Sequence, residues 1–202
     1  MSGEPGGPSA ASSKGECSVT SAASGGLPSA DGKTRVGNYE ILSKIGESVT
    51  GTVFKARQRS MDRIVALKLL KPRLATDKDF VERFRRDVRV VARLNHPNIV
   101  SAYDTGHAGG YFYFAMEYVD GHDLGTVLLT SVTLEDARAL GVVLDVANAL
   151  ECAHEANTVH RDVRPGNILI APDGTAKLAG LGFKHNDNDT DARSPHLIFA
   201  HK

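Results

Sequence analysis

The chain has 202 residues, with 24 basic and 24 acidic side chains and a formal net charge of zero. That length fits one domain or a small domain with a tail. The balanced charge excludes a global field attracting nucleic acid or an anionic membrane, so any partner must be recognised locally. The only cysteines, Cys17 and Cys152, sit in unlike contexts, a polar stretch and an apolar helical pattern, which predicts a reducing, cytoplasmic setting. The N-terminus lacks a basic start followed by an apolar stretch, and no run approaches the roughly 20 apolar residues of a spanning helix. A soluble chain without a membrane segment is expected.

Residues 1–37 are dominated by Gly, Ser, Ala and Pro with almost no large apolar side chains, a composition that cannot offset its ordering entropy. They predict a disordered tail, acting as a tether or as a segment phosphorylated on Ser and Thr. Tyr39–Ile45, Gly51–Arg57 and the β-branched run Ile64–Leu70 then predict three antiparallel strands. Thr76 and Asp79 form a capping-box-like start, and Phe80, Phe84, Val88, Val91 and Leu94 recur at helical spacing until Asn95-His96-Pro97. Ile99–Tyr103 and Tyr111–Tyr118 read as two further strands around Ala108-Gly109-Gly110.

Beyond Val119-Asp120-Gly121 the pattern changes. Leu134–Glu155 predicts the longest helix, with Ala137, Leu140, Leu144, Ala147 and Leu150 on one face. Ile168–Ala171 and Ala176–Leu178 flank Pro172-Asp173-Gly174 and predict a hairpin.

Three segments carry chemistry. In Ile45-Gly46-Glu47-Ser48-Val49-Thr50-Gly51-Thr52-Val53, glycines between two strands let backbone N–H groups approach phosphate oxygens, although an ordinary hairpin explains the segment equally well. In Val65-Ala66-Leu67-Lys68 an ammonium sits in an apolar strand, either buried against an anionic partner or pointing outward. The third is His160-Arg161-Asp162-Val163-Arg164-Pro165-Gly166-Asn167, between the long helix and a strand. Read by itself, its Asp and Asn cap turns.

In this order and spacing the segments resemble a bacterial-type (Hanks-type) serine/threonine protein kinase, from about Gly37 to the C-terminus. The third matches the catalytic loop H-R-D-x-K-P-x-N except at Arg164. The resemblance implies an α+β, protein kinase-like fold: a five-stranded antiparallel N-lobe sheet plus one helix over 38–119, then a partial, mostly helical C-lobe over 120–202 ending in the activation segment. It implies that Asp162 orients the substrate hydroxyl and accepts its proton, that Asn167 binds metal, and that Lys68 and Arg164 serve phosphate. It also implies ATP held by Ile45, Gly46, Ser48, Gly51 and Val53 of the glycine loop. Val53, Ala66 and Leu169 would sandwich adenine, Glu117-Tyr118-Val119 would form the hinge, and Met116 would guard the back of the pocket.

The departures matter as much. Ser48 occupies the middle glycine position of the loop. Asp87 stands where the family has the glutamate that pairs with the strand lysine, and would serve as a shorter partner of Lys68 or as a surface carboxylate. Arg164 replaces a point charge with a broad fork. Lys177-Leu178-Ala179-Gly180-Leu181-Gly182 occupies the D-F-G place, so Leu181 fills the apolar role and Gly180 offers no metal ligand. Magnesium binding is therefore expected to be weak or absent, with a loss of several orders of magnitude in rate. Asp187, Asp189 and Asp191 alternate like the start of a calcium loop, but Ala192 and Ile198 fall where its glycine and glutamate belong, so a solvated activation segment is the simpler reading. Ser194-Pro195-His196 resembles the T-P-x-Y stretch, and the chain ends at Lys202 without the remaining helices, which leaves the face of Leu140 and Leu144 for a protein partner or self-association. The expectation is a catalytically impaired pseudokinase that binds ATP and acts as a regulatory or interaction module. An active serine/threonine kinase and a truncated remnant are the alternatives.

Overall fold

The computed structural model describes residues 34–48, 50–130 and 134–181. Cys17, Val49, Gly182, the Asp187-Asp189-Asp191 alternation, Ser194-Pro195-His196, and most of the expected tail lie outside them.

The first lobe is one curled antiparallel sheet. Its strands are β1 (Arg35–Val36), β2 (Tyr39–Glu47), β3 (Gly51–Gln58), β4 (Arg63–Leu70), β5 (Ala102–Ala108) and β6 (Tyr111–Glu117), in the spatial order β1-β2-β3-β4-β6-β5. The sheet thus has six strands where five were expected. The extra one falls inside the stretch assigned to the tail: Val36 is buried and pairs with Tyr39 across a turn in which Gly37 has φ +56°. Curling brings Tyr39 of β2 to Asp104 of β5, whose carboxylate accepts from the Tyr39 hydroxyl at 2.8 Å and from Tyr113 at 3.1 Å.

Strand alternation divides β4 between compartments, as the period of two requires. Val65 and Leu67 pack inside the curl with Tyr39 and Ala115, while Ala66 faces the other side with Val53 and Leu169. Leu70 joins Phe84, Val88, Phe112 and Phe114 under the main helix of this lobe. After the single turn α1 (Pro72–Ala75), that helix is α2 (Lys78–Val91). Its cap is Asp77, whose side chain accepts from the Phe80 N–H at 3.0 Å, rather than Thr76. Phe84 meets Phe114 edge to face at 6.0 Å between ring centres.

The strand expected at Ile99–Tyr103 starts later. Asn98 to Val100 instead lie alongside the second lobe: the Leu178 N–H donates to the Asn98 carbonyl at 2.7 Å, and the Val100 N–H to the Leu178 carbonyl at 3.0 Å. Ile99 and Val100 are both buried, which a strand with one wet face does not allow for neighbours.

The second lobe holds β7 (His122–Asp123), α3 (Leu124–Thr130), α4 (Asp136–Glu155), β8 (Ile168–Ile170) and β9 (Ala176–Leu178), the strands forming a small antiparallel sheet. Asp123 starts α3, its carboxylate accepting from the Thr126 N–H and hydroxyl at 3.0 and 2.6 Å. On α4 the face that packs is Val142, Ala149 and Ala153, with Val146, Leu150 and Cys152 beside them. The expected stripe is largely on the opposite side, where Leu140, Val143 and Leu144 are 69%, 64% and 61% exposed. The helix is apolar on two sides, and only one has a neighbour among the described residues.

One core cluster joins the lobes: Val91, Leu94 and Ile99 meet Val142, Ile168, Leu178 and Leu181. Leu178 is 1% exposed and also carries the backbone pairing to residues 98–100. Leu178→Ala is expected to cost about 3 kcal/mol of unfolding free energy in a denaturant titration, by lost burial plus a cavity. A loss under about 1 kcal/mol would show that this cluster does not hold the lobes together.

Candidate functional site

Between the lobes lies a cleft of about 470 Å³, counting its open mouth. Val53, Ala66, Lys68, Val100, Met116, Glu117, Val119, Leu169, Ala179 and Gly180 line it. The register explains the gathering. Val53 stands opposite Lys68 and Ala66 opposite Met116, so alternate residues of three adjacent strands point the same way. Leu169 closes the cleft from β8, and Ile45 packs against the same apolar group. Of the residues expected from sequence to hold a nucleotide, Val53, Ala66, Lys68, Met116, Glu117, Val119 and Leu169 line the cleft. Gly46 near the end of β2, Ser48 in the connection and Gly51 at the start of β3 do not line it. Val100 and Ala179 do, and were not singled out, because small and β-branched apolar residues carry no chemical signature. The one available signal was Ala179's place directly before Gly180.

Lys68 is 8% exposed, so it points into the cleft rather than outward. Burial pushes its ammonium down from 10.5 to about 8. Asp87 sits half-buried on α2 beside Phe84 and Val88, and both Lys68 and Asp87 are engaged in polar or electrostatic contacts. At the cleft edge the Glu117 carboxylate takes Lys177 of β9 at 2.8 Å and the Ser101 N–H at 3.2 Å. The end of β6 is thereby tied by charge to the second lobe.

The loop 160–167 is organised around His160, which is 1% exposed. Its Nε2 lies 2.9 Å from the Ala179 carbonyl, which can only accept, so Nε2 carries the proton. Nδ1 then accepts from the Asp162 N–H at 3.2 Å. One ring fixes both the backbone of Asp162 and the residue before Gly180. The Asn167 Nδ2 donates to the Asp162 carbonyl and to its Oδ2, each at 2.8 Å. Arg164 Nε lies 3.3 Å from the same Oδ2, an ion-pair contact without hydrogen-bond alignment. Asp162, Arg164 and Asn167 therefore form one cluster, with Asp162 40% exposed at its surface. Gly180 faces it: a Cβ there would stand 3.5 to 3.6 Å from the Asn167 amide group.

Burial holds the His160 imidazole below its ordinary value of 6.5, opposed more weakly by Ala179 and Asp162. The folded state thus takes up its proton later than the unfolded chain does. The stabilising effect of neutral His160 is complete above pH 6.5 and is lost as pH falls through its folded value. Unfolding free energy is expected to decline below pH 6.5, and to decline less steeply in His160→Gln. Equal slopes would assign the decline to other groups.

The two-lobed fold, the interlobe cleft and the His160–Asn167 loop define a class, that of protein kinases. The family model described as protein kinase domain matches residues 39–195. The chain belongs to the protein kinase family, and within it to the bacterial-type serine/threonine branch. It is 43% identical over 142 residues to the serine/threonine-protein kinase Pkn3 of Myxococcus xanthus, covering 70% of this chain and 26% of that one. It is 40% identical over 157 residues to PknA of Mycobacterium tuberculosis, covering 75% and 36%. A crystal structure of the Mycobacterium tuberculosis PknI kinase domain aligns with TM-score 0.68 at 32% identity, over 82% of this chain and 64% of that domain. The chain thus spans about a quarter to a third of these curated relatives and somewhat under two thirds of the solved domain. Among the described residues no helix is long and apolar enough to cross a membrane.

Proposed function

We propose that the chain is a pseudokinase: it binds ATP in the interlobe cleft, transfers phosphate poorly or not at all, and acts in the cytoplasm as a regulatory or interaction module. The observation that carries this reading is the contrast between the two ends of the cleft. The base end is an apolar slot bounded by Val53, Ala66, Met116, Val119 and Leu169, of the apolar character that small-molecule sites have. The phosphate end has Gly180 where the family's metal-binding aspartate belongs.

Kinases of this family use ATP and usually magnesium. A hard divalent cation takes carboxylate and phosphate oxygens. Here the donors near Gly180 are the neutral amide of Asn167 and the Asp162 carboxylate, whose Oδ2 already takes Asn167 and Arg164. With Gly180 in place of a second carboxylate, this reading has magnesium bound weakly or not at all. The chemistry left to the chain is to bind the nucleotide, exclude water from the base, and hold the Asp162 carboxylate toward solvent.

The exposed stripe of Leu140, Val143 and Leu144 supports the interaction role. Concentration-dependent sedimentation that Leu144→Glu abolishes would bear out self-association, and a monomer at all concentrations would refute it. Cell fractionation tests the cytoplasmic setting, and recovery with membranes would overturn it.

A second reading, an active kinase transferring the γ-phosphate to a protein hydroxyl, is favoured by the intact Asp162–Asn167 pair. A thermal-shift titration with ATP, with and without magnesium, separates the two. Stabilisation indifferent to metal supports the pseudokinase, strict metal dependence supports the active enzyme, and no stabilisation at saturating ATP overturns both.

A further inference from the structure

Helix α2 has two unlike faces. Val81, Phe84 and Val88 are buried against Leu70, Phe112 and Phe114 of the sheet, and the side turned away from them carries arginine. Arg83, Arg85, Arg86 and Arg89 on the helix and Arg93 in the turn that closes it are all exposed, five within eleven residues. At about 100° per residue, Arg86, Arg89 and Arg93 stand opposite the buried stripe, along about 10 Å of helix axis.

These charges are not neutralised within the fold. The Arg83 Nε donates to the Asp79 carbonyl at 3.2 Å, and the Arg85 guanidinium lies 4.8 Å from the centre of the Phe112 ring. Arg86, Arg89 and Arg93 make no ion pair or side-chain hydrogen bond among the described residues. The carboxylates of the helix are placed otherwise: Asp79 is in the first turn, Glu82 is exposed and has no ion pair among the described residues, and Asp87 is half-buried with a contact of its own. The dipole at the helix C-terminus favours Arg89 and Arg93, but its effect fades within the last turn and does not reach Arg83, Arg85 and Arg86. Like charges three and four residues apart repel, as Arg85 and Arg86 do with Arg89. A helix face that only meets water ordinarily interleaves both signs. The choice of cation is informative too. The one lysine of the helix, Lys78, is at its first position. A guanidinium fork takes a carboxylate through two parallel N–H groups, where an ammonium offers a point charge.

We propose that the outward face of α2, centred on Arg86, Arg89 and Arg93, is a docking surface for an acidic segment of a partner protein. No residue of α2 lines the interlobe cleft, so this surface is separate from the nucleotide site and does not depend on it. It gives the interaction role a partner of defined charge. The net charge of zero favours a protein over a nucleic acid, because a chain that tracks a phosphate backbone extends its basic surface beyond one helix face.

The test is fluorescence anisotropy of a labelled polyglutamate peptide, about ten residues long, titrated with the full chain. Binding is expected at low salt, weakening at least about tenfold between about 50 and 300 mM salt. The triple variant Arg86→Gln, Arg89→Gln, Arg93→Gln replaces exposed side chains with a good helix former and is expected to bind at least about tenfold more weakly. Arg138→Gln, equally exposed but on α4, is expected to change affinity less than about twofold. A folded triple variant that binds like the wild type, or wild-type protein that does not bind the peptide, would overturn the proposal. An oligothymidylate of similar length bound at least about tenfold tighter than the peptide, and lost in the same triple variant, would overturn it by assigning the face to nucleic acid. Peptide binding that emerges only in Asp187→Asn, Asp189→Asn, Asp191→Asn would overturn it by assigning the face to the chain's own acidic stretch. None of these outcomes alters the ATP titration, which tests the nucleotide reading separately.

Discussion

Gly180→Asp is expected to make ATP binding magnesium-dependent, tightening it about ten- to a hundredfold on addition of the metal, where the wild type changes by less than about twofold. The position admits the change sterically. The nearest atoms to an added Cβ belong to the Asn167 side chain at 3.5 to 3.6 Å, ordinary van der Waals contact. The backbone there has φ +81°, which disfavours most L-residues and which aspartate tolerates better than most. A fold penalty of about 1 kcal/mol should accompany the gain. The new carboxylate would stand beside the Asn167 amide at the mouth of the Lys68 cleft and supply a second anionic ligand besides Asp162. Metal-independent binding in a Gly180→Asp protein of normal stability would show that the deficiency lies elsewhere in the loop. Strict metal dependence in the wild type would remove the deficiency altogether.

Ala66→Phe is expected to weaken adenosine and ATP binding more than about thirtyfold, equivalent to ~2 kcal/mol. Ala66 is 2% exposed, and its side chain lies among Val53, Val119 and Leu169 in the base slot. A ring placed there overfills the slot, so the ligand is displaced at a packing cost of about 1–3 kcal/mol. A folded protein that melts several degrees below wild type is the accompanying expectation. Unchanged affinity would mean that ligands bind outside the slot.

The sequence made some of this visible and hid the rest for identifiable reasons. His160 to Asn167 was legible because charged and amide residues at fixed spacing have few structural uses, and the structure gathers Asp162, Arg164 and Asn167 within hydrogen-bond or ion-pair reach. The two faces of β4 were legible as a β-branched run, but the direction of Lys68 was not, since alternation alone does not say which face is covered. Strand β1 was hidden because two residues cannot outweigh a Gly- and Ser-rich neighbourhood. Helix α3 was missed although Asp123, a capping residue followed by Leu124 and Val127, signalled it. The pairing of residues 98–100 with Leu178 depends on contacts far apart in sequence, which no local period encodes. On α4 the larger Leu140 and Leu144 dominate the periodic signal, whereas the small Ala149 and Ala153 are the fully buried residues.

Ser48 shows a subtler case. From sequence it was a missing glycine. In the structure its hydroxyl binds Gly51 from both sides, so the replacement adds contacts as well as subtracting freedom.

The most direct measurement is phosphate transfer from γ-labelled ATP by the wild-type chain, to itself and to a general protein substrate, run beside Asp162→Ala. Label incorporation equal to that of the variant is the result expected of a cleft that binds nucleotide without completing the reaction. Incorporation well above it, abolished by Asp162→Ala, would establish an active kinase and show that Gly180 does not block phosphate transfer.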